Sequence, residues 1–262
     1  MKQTVEQESA VLDIRFHASK DVLVAASSTG TLTVYSLVDG QLQQIALLAP
    51  QSIDRQTLIL QIQWLNNALL CSTSTGKVLR IMLSEACDAI DDESEIAEMK
   101  SDYEVWAVYG REGLTASGDD GCCLTMLTDQ VWRTNKLHAA GVTSITEAKD
   151  VLLTGSYDGR LRVIEHGRVV AERDLGGGVW RLDWVYPGLL LVSAMHAGAF
   201  LVRVMRDSDA RWVIELTAAY REHQSMVYAG GALVRGGKAV VVSTSFYDQL
   251  VCVWESELGG GT

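Results

Sequence analysis

Short apolar runs alternate with small and polar residues along the chain. "VLDIRF" leads to "DVLVAASSTGTLTVYSL", "ILQIQWL" to "ALLCSTSTGKVLRIML", and "EVWAVYG" to "GLTASGDDGCCLTML". "GVTSIT" then leads to "VLLTGSYDGRLRVI", "GVWRLDW" to "GLLLVSAMHAGAFLVRV", and "MVYAGGALV" to "AVVVSTSFYDQLVCVW". Alternation at period two, with many β-branched residues, predicts strands. Each unit reads as strand, turn, strand, tight turn, strand. A fourth strand is less distinct, as in "QQIALL" and "RVVAERDL". Five tight turns carry Gly30, Gly76, Gly121, Gly159 and Gly198, spaced at roughly 40 residues. The sixth corresponding turn holds Asp248 and Gln249. A unit of this length cannot bury its apolar faces alone, so neighbouring units must stack, as the blades of a β-propeller do. The expected fold is therefore all-β, a β-propeller with six recognisable blades over residues 10–255. A polar segment (1–9) precedes it and a flexible tail (256–262) follows.

Composition narrows the function. The formal net charge is −11 with no Lys/Arg run, which disfavours direct binding of nucleic acid or an anionic membrane. Five cysteines form no CxxC pair and no metal-ligand spacing, so reduced thiols, a cytoplasmic setting and no metal are expected. The start "MKQTVEQESA" has no apolar signal core, and no apolar run reaches the roughly 18 residues of a membrane helix. Gly176, Gly177 and Gly178 lack the lysine of a phosphate loop, so no cofactor is expected. The acidic run at 84–102 reads as a solvated loop between blades.

The five histidines carry most of the candidate chemistry. "HAAGVTSI" followed by "LLTGSYDG" resembles the WD-repeat (WD40) pattern. In that pattern a histidine before the first strand, here His138, pairs with the aspartate of the tight turn, here Asp158, as a structural bond. The tight turns "GDDG", "SYDG", "MHAG" and "FYDQ" align Asp119, Tyr157, His196 and Tyr247 immediately before the positions of Asp120, Asp158, Ala197 and Asp248. Ala197 breaks the aspartate pattern, which frees His196 for another role. "REHQSMV" is an inter-blade loop on the same propeller face as these turns. Glu222 and His223 are thus expected near His196, Asp119, Tyr157 and Tyr247. Trp106 and Trp180 begin first strands, where they either wall that entrance or fill blade cores. A neutral imidazole on His223 or His196 can activate water, with Glu222 or a turn aspartate orienting it. Tyr247 and Tyr228 can donate to an oxyanion. Ser225 and Ser245 lack a nucleophile elbow. Binding without catalysis fits these residues as well.

More specific stretches narrow the family. "AVLDIRF", "YEVWAVY", "SGDDG", "GGGVWRLDW", "LLLVSAMHAGAF", "EHQSMVYAGG" and "STSFYDQLVCVWE" occur in this order and span most of residues 10–255. The chain resembles the eukaryotic diphthine methyl ester hydrolases, WD-repeat proteins of diphthamide biosynthesis. The resemblance implies a propeller, usually seven-bladed, that removes the methyl ester of methylated diphthine on translation elongation factor 2. The products would be diphthine and methanol, before final amidation. It carries the site residues across as a region rather than a triad; within that region the expected catalytic group is His223 as base, Glu222 or His196 orienting it, and Tyr247 at the oxyanion. Asp119, Tyr157, Trp106, Trp180, Tyr228 and Asp248 would contact substrate. The resemblance enters at the family's second blade. The alternative is a noncatalytic WD-repeat scaffold that binds elongation factor 2 or another protein.

Overall fold

A computed structural model describes residues 9–258. Most of the expected polar start and the last four residues of the expected tail lie outside the described residues. The chain divides into two compact units, Met1–Asn135 and Lys136–Thr262.

The first unit holds three antiparallel sheets, each paired in chain order. The first is β1 (Val11–Phe16), β2 (Val22–Ser27), β3 (Leu32–Val38) and β4 (Gln41–Leu48). The second is β5 (Ile59–Leu65), β6 (Ala68–Thr73), β7 (Val78–Leu83) and β8 (Ile90–Glu95). The third is β9 (Val105–Arg111), β10 (Leu114–Asp119), β11 (Leu124–Leu127) and β12 (Val131–Thr134). The second unit repeats the plan. Its sheets are β13 (Val142–Ala148), β14 (Val151–Ser156), β15 (Arg160–Glu165) and β16 (Arg168–Asp174), then β17 (Arg181–Tyr186), β18 (Leu189–Ser193), β19 (Ala199–Arg206) and β20 (Trp212–Tyr220). The last has three strands, β21 (Val227–Arg235), β22 (Lys238–Ser245) and β23 (Leu250–Glu257).

The fold is therefore all-β, six blades of the WD40 propeller type. The less distinct fourth strands are real in five blades. One of them, β8, lies within the acidic run that reads as loop in sequence. Its Asp91, Asp92 and Glu93 sit on an outer strand with much of its surface in water, where hydrogen bonding to β7 outweighs poor β-propensity. β23 continues to Glu257, past the expected end of the propeller at residue 255.

Burial follows position in the blade. β2, β6, β14 and β18 are buried along their whole length. Sheet packs on sheet within each unit: Val24, Leu32, Ile62 and Leu69 share one cluster, and Leu153, Leu161, Val192 and Phe200 share another. Each such side chain contributes about 1.5–3 kcal/mol of transfer free energy. The repeated unit is thus stabilised by its neighbour.

A second repeated feature positions the site. In five of the six first strands, one residue near the start bulges out of register, between pairs such as Val105–Asp119 and Ala107–Gly118. The same break occurs between Val142 and Ser144 and between Val227 and Ala229. Trp106, Thr143 and Tyr228 are the bulged residues. A bulge bends the strand and re-aims the extra side chain.

Candidate functional site

In the second unit the strand ends bring five aromatic rings into one series. Tyr157 comes from the β14–β15 turn, Trp180 from the start of β17, and Tyr228 from the bulge of β21. Phe246 and Tyr247 come from the β22–β23 turn. Ring centroids are 5.5 Å apart for Tyr157–Trp180, 5.1 Å for Trp180–Tyr228, 5.8 Å for Tyr228–Phe246 and 5.1 Å for Phe246–Tyr247. Adjacent rings are inclined by 59–87°, the edge-to-face habit of aromatic quadrupoles. Burial raises the Tyr228 phenol above its ordinary value, with the Tyr247 phenolate adding to the shift. Tyr228 therefore stays neutral near pH 7, and its hydroxyl lies 3.1 Å from Met226 Sδ.

The three-glycine run makes this approach possible. A Cβ on Gly178 would sit 2.6 Å from Met195 Sδ and 3.2 Å from the Tyr157 ring. A Cβ on Gly177 would meet the Ala194 carbonyl at 2.4 Å. The run is a close-packing device between two tight turns.

His196 is exposed in the β18–β19 turn. The turn is closed by the Ala197 N–H donating to the Ala194 carbonyl at 2.9 Å, as Gly159 N–H donates to the Ser156 carbonyl at 3.1 Å. His196 thus stands at the place of Asp158, one position on from the alignment expected in sequence, and Met195 takes the place of Tyr157. Met195 forms an isolated bridge with Val227, which ties the His196 turn to the residue beside Tyr228.

His223 is buried, and both ring nitrogens face hydroxyls. Nδ1 lies 2.7 Å from Ser245 Oγ, and Nε2 lies 2.7 Å from Ser243 Oγ. The Trp254 indole donates to Ser243 Oγ at 3.2 Å, and Cys252 Sγ is 3.9 Å from Nδ1. Burial lowers the His223 pKa, and the Asp248 carboxylate opposes the shift. Asp248 accepts from the Gln224 N–H at 3.0 Å. Its own pKa is held down by hydrogen bonding to the Ser245 side chain and to that N–H. Glu222 is exposed beside this corner. Ser225 Oγ accepts from the Tyr247 N–H at 3.0 Å, a bond that fixes the turn.

His138 holds the matching corner of the fourth blade. Arg162 Nη1 lies 3.0 Å from His138 Nδ1, and Thr154 Oγ1 lies 3.3 Å from Nε2. Arg162 also pairs with Asp158 at 2.8 Å, with both side chains under 10% exposed. The expected structural bond between His138 and Asp158 is therefore carried through Arg162. Asp158 receives the neighbouring Ala139 N–H at 2.9 Å.

Asp119 and Trp106 belong to the first unit. Asp119 is buried, accepting from Ser101 Oγ at 2.6 Å and from the Cys123 N–H at 2.8 Å. Trp106 donates its indole N–H to Asp120 Oδ1 at 3.1 Å. Among the described residues, no group of three or more His, Cys, Asp or Glu is arranged to hold a metal ion. No described helix is long and apolar enough to cross a membrane.

The partners of His223 are what sequence reading did not supply. Ser243, Cys252 and Trp254 look like ordinary strand residues. The one signal in the sequence was the parallel with Thr154 and Arg162 in the fourth blade. Thr154 pairs with Arg162, and Ser243 pairs with Cys252, at the same register.

Two curated proteins are similar along almost the whole chain. One is "Diphthine methyltransferase" of Schizosaccharomyces pombe, 28% identical over 94% of this chain and 78% of that protein. The other is "Diphthine methyltransferase homolog" of Dictyostelium discoideum, 24% identical over 96% of this chain and 78% of that protein. The chain is a distant homologue of the diphthine methyltransferases. No protein-family model matches it. Among solved structures, a chain of the mitotic checkpoint complex matches with TM-score 0.74 at 13% identity, covering 97% of this chain and 76% of that one. The WD40 β-propeller domain of Doa1 matches with TM-score 0.65 at 16% identity, covering 97% and 84%. These structures share the fold alone.

Proposed function

We propose that the chain hydrolyses the methyl ester of methylated diphthine on translation elongation factor 2. The observation that carries this reading is the aromatic series Tyr157–Trp180–Tyr228–Phe246–Tyr247 on adjoining strand ends and turns, in a distant homologue of the diphthine methyltransferases. Water adds to the ester carbonyl and loses a proton to a base. The C–O bond to the methoxy group then breaks, and that oxygen leaves as methanol. The carboxylate and one proton complete the balance.

His196 is the favoured base. Its imidazole is exposed, whereas His223 would have to release Ser243 or Ser245 before either nitrogen could take a proton. His223 then holds the turn that presents Tyr247, and Tyr247 donates to the oxyanion. Glu222 and Asp248 supply negative charge beside that turn.

The test is incubation of purified chain with elongation factor 2 carrying the methylated intermediate, followed by intact-mass measurement and methanol assay. Loss of the methyl mass is expected, and His196→Ala is expected to slow it by about 100-fold or more. Full turnover in His196→Ala would overturn the base assignment. No mass loss with folded wild-type chain would favour the second reading, a binding module without catalysis. The full engagement of His223 by two serines favours that second reading.

A further inference from the structure

The tight turn of the third blade departs from the plan of its neighbours. Two places before the third strand begins to pair with the second, the first, second and fourth blades have Gly30, Gly76 and Gly159. All three adopt positive φ, at 69°, 80° and 83°. The third blade has Cys122 at that place, with φ 66°. A β-carbon is disfavoured in this region, where glycine is the ordinary choice. The glycine one place earlier is fixed by packing, because a Cβ on Gly121 would lie 2.5 Å from the Tyr103 ring. Cys122 is followed directly by Cys123. Neither is disulfide-bonded and both are part-exposed, whereas Cys71 and Cys87 are buried.

The peptide between the two cysteines anchors a relay of hydrogen bonds. Its N–H, on Cys123, donates to Asp119 Oδ1 at 2.8 Å. Asp119 Oδ2 accepts from Ser101 Oγ at 2.6 Å, and Ser101 Oγ accepts from the Tyr103 N–H at 3.0 Å. Ser101, Tyr103, Asp119 and Cys123 all line one cavity of about 550 Å³. Consecutive Cα atoms lie about 3.8 Å apart across a trans peptide, less than the roughly 4.4–6.8 Å usual between bridged cysteines. A bond between these two sulfurs would therefore be strained and easily reduced.

We propose that Cys122 and Cys123 are a redox pair, closing reversibly to a vicinal disulfide that releases Asp119 and loosens the 101–103 wall of the cavity. The oxidant is glutathione disulfide. One cysteine thiolate attacks it, giving a protein–glutathione mixed disulfide and one glutathione. The neighbouring thiol loses its proton and attacks the cysteine sulfur of that bond, expelling the second glutathione. Two S–H groups become one S–S bond, and the oxidant takes up both electrons and both protons. Closure turns the peptide inside the new ring and draws its N–H away from Asp119. The assignment stands apart from ester hydrolysis.

The full chain is equilibrated with glutathione buffers from reducing to oxidising, quenched with an alkylating agent, weighed intact and mapped by peptide. The oxidised chain is expected to take up two alkyl groups fewer, with the bond inside the peptide that holds residues 122–123. Excess reduced glutathione reverses it. Cys122→Gly restores the residue of the other blades, so its thermal midpoint stays at or above wild type, and the bond no longer forms. Oxidation is also expected to speed amide hydrogen exchange at Cys123 and Tyr103 by roughly tenfold, in wild type and not in Cys122→Gly. A chain that stays reduced throughout, or that gains only glutathione adducts or a bond to another cysteine, would overturn the redox pair. A Cys122–Cys123 bond with unchanged exchange at both amides would overturn the relay to the cavity wall.

Discussion

The His138 and His223 corners occupy the same place in two blades and are held together differently. Each histidine precedes a first strand and packs on a hydroxyl of the second strand, Thr154 or Ser243. At the facing place on the third strand, one blade has Arg162 and the other Cys252. That difference, with the Trp254 indole present at one corner and Ile164 at the corresponding place of the other, sets the protonation pattern. Arginine only donates, so His138 Nδ1 must accept and the ring proton sits on Nε2. At His223 the Trp254 indole donates to Ser243, whose own proton is then free to go to Nε2. The ring proton is placed on Nδ1, facing Ser245. On this assignment the same backbone supports opposite tautomers. One corner is a buried charge network, and the other is a chain of neutral hydroxyls.

The charged corner should break hardest. Arg162→Met leaves Asp158 buried without its ion-pair partner and should lower unfolding free energy by about 3–5 kcal/mol. Cys252→Ala, at the matching place, should cost within about 1 kcal/mol. Urea unfolding of the two variants measures the difference, and equal losses would remove the contrast.

Acid should separate the corners next. Burial, then the Arg162 charge, lowers His138 from 6.5 to about 4, and Asp158 only partly opposes this. Between these values the unfolded chain binds a proton that the folded chain refuses. The stability is therefore fully present above about 6.5, is lost as pH falls toward about 4, and levels off below. The shift corresponds to about 3 kcal/mol. His138→Asn should flatten that part of the stability–pH curve. His223 is shifted in the same direction, so its replacement should flatten the curve within the acid range below its ordinary value.

Smaller losses test the hydroxyl chain. Ser243→Ala removes the shared partner of His223 and Trp254 and should cost about 1–3 kcal/mol. It should also change the His223 signal in a long-range nitrogen NMR spectrum. In wild type that spectrum should show His138 and His223 as opposite tautomers; matching tautomers would contradict this proton placement. Tyr247→Ala should move stability least, within about 0.5 kcal/mol, because the ring is mostly in water.

Much of the fold is legible before any contact is known. Alternation in "LTVYSL" and "VLRIML" marks strands, and the spaced turn glycines mark the blades. β8 was hidden because "IDDESE" carries its strand character in pairing to β7 rather than in its residue types. Among the site residues, the sequence singled out Tyr157, Trp180, Tyr228 and Tyr247 without placing their rings in one series. It did not reveal Phe246 as the ring between Tyr228 and Tyr247, nor the turn count that moves His196 to the place of Asp158. Both depend on how many residues a turn spends between two fixed ladder positions.

By itself, the sequence determined the all-β repeat, the meander order and the candidate histidines, because these follow from local period and turn chemistry. Only tertiary structure decided which histidine is engaged. His223 meets Ser243 and Ser245 across 20 and 22 residues of chain, and His138 meets Arg162 across 24. Side chains this far apart become partners through strand register and sheet packing, and the proton on each ring follows from the partner it meets.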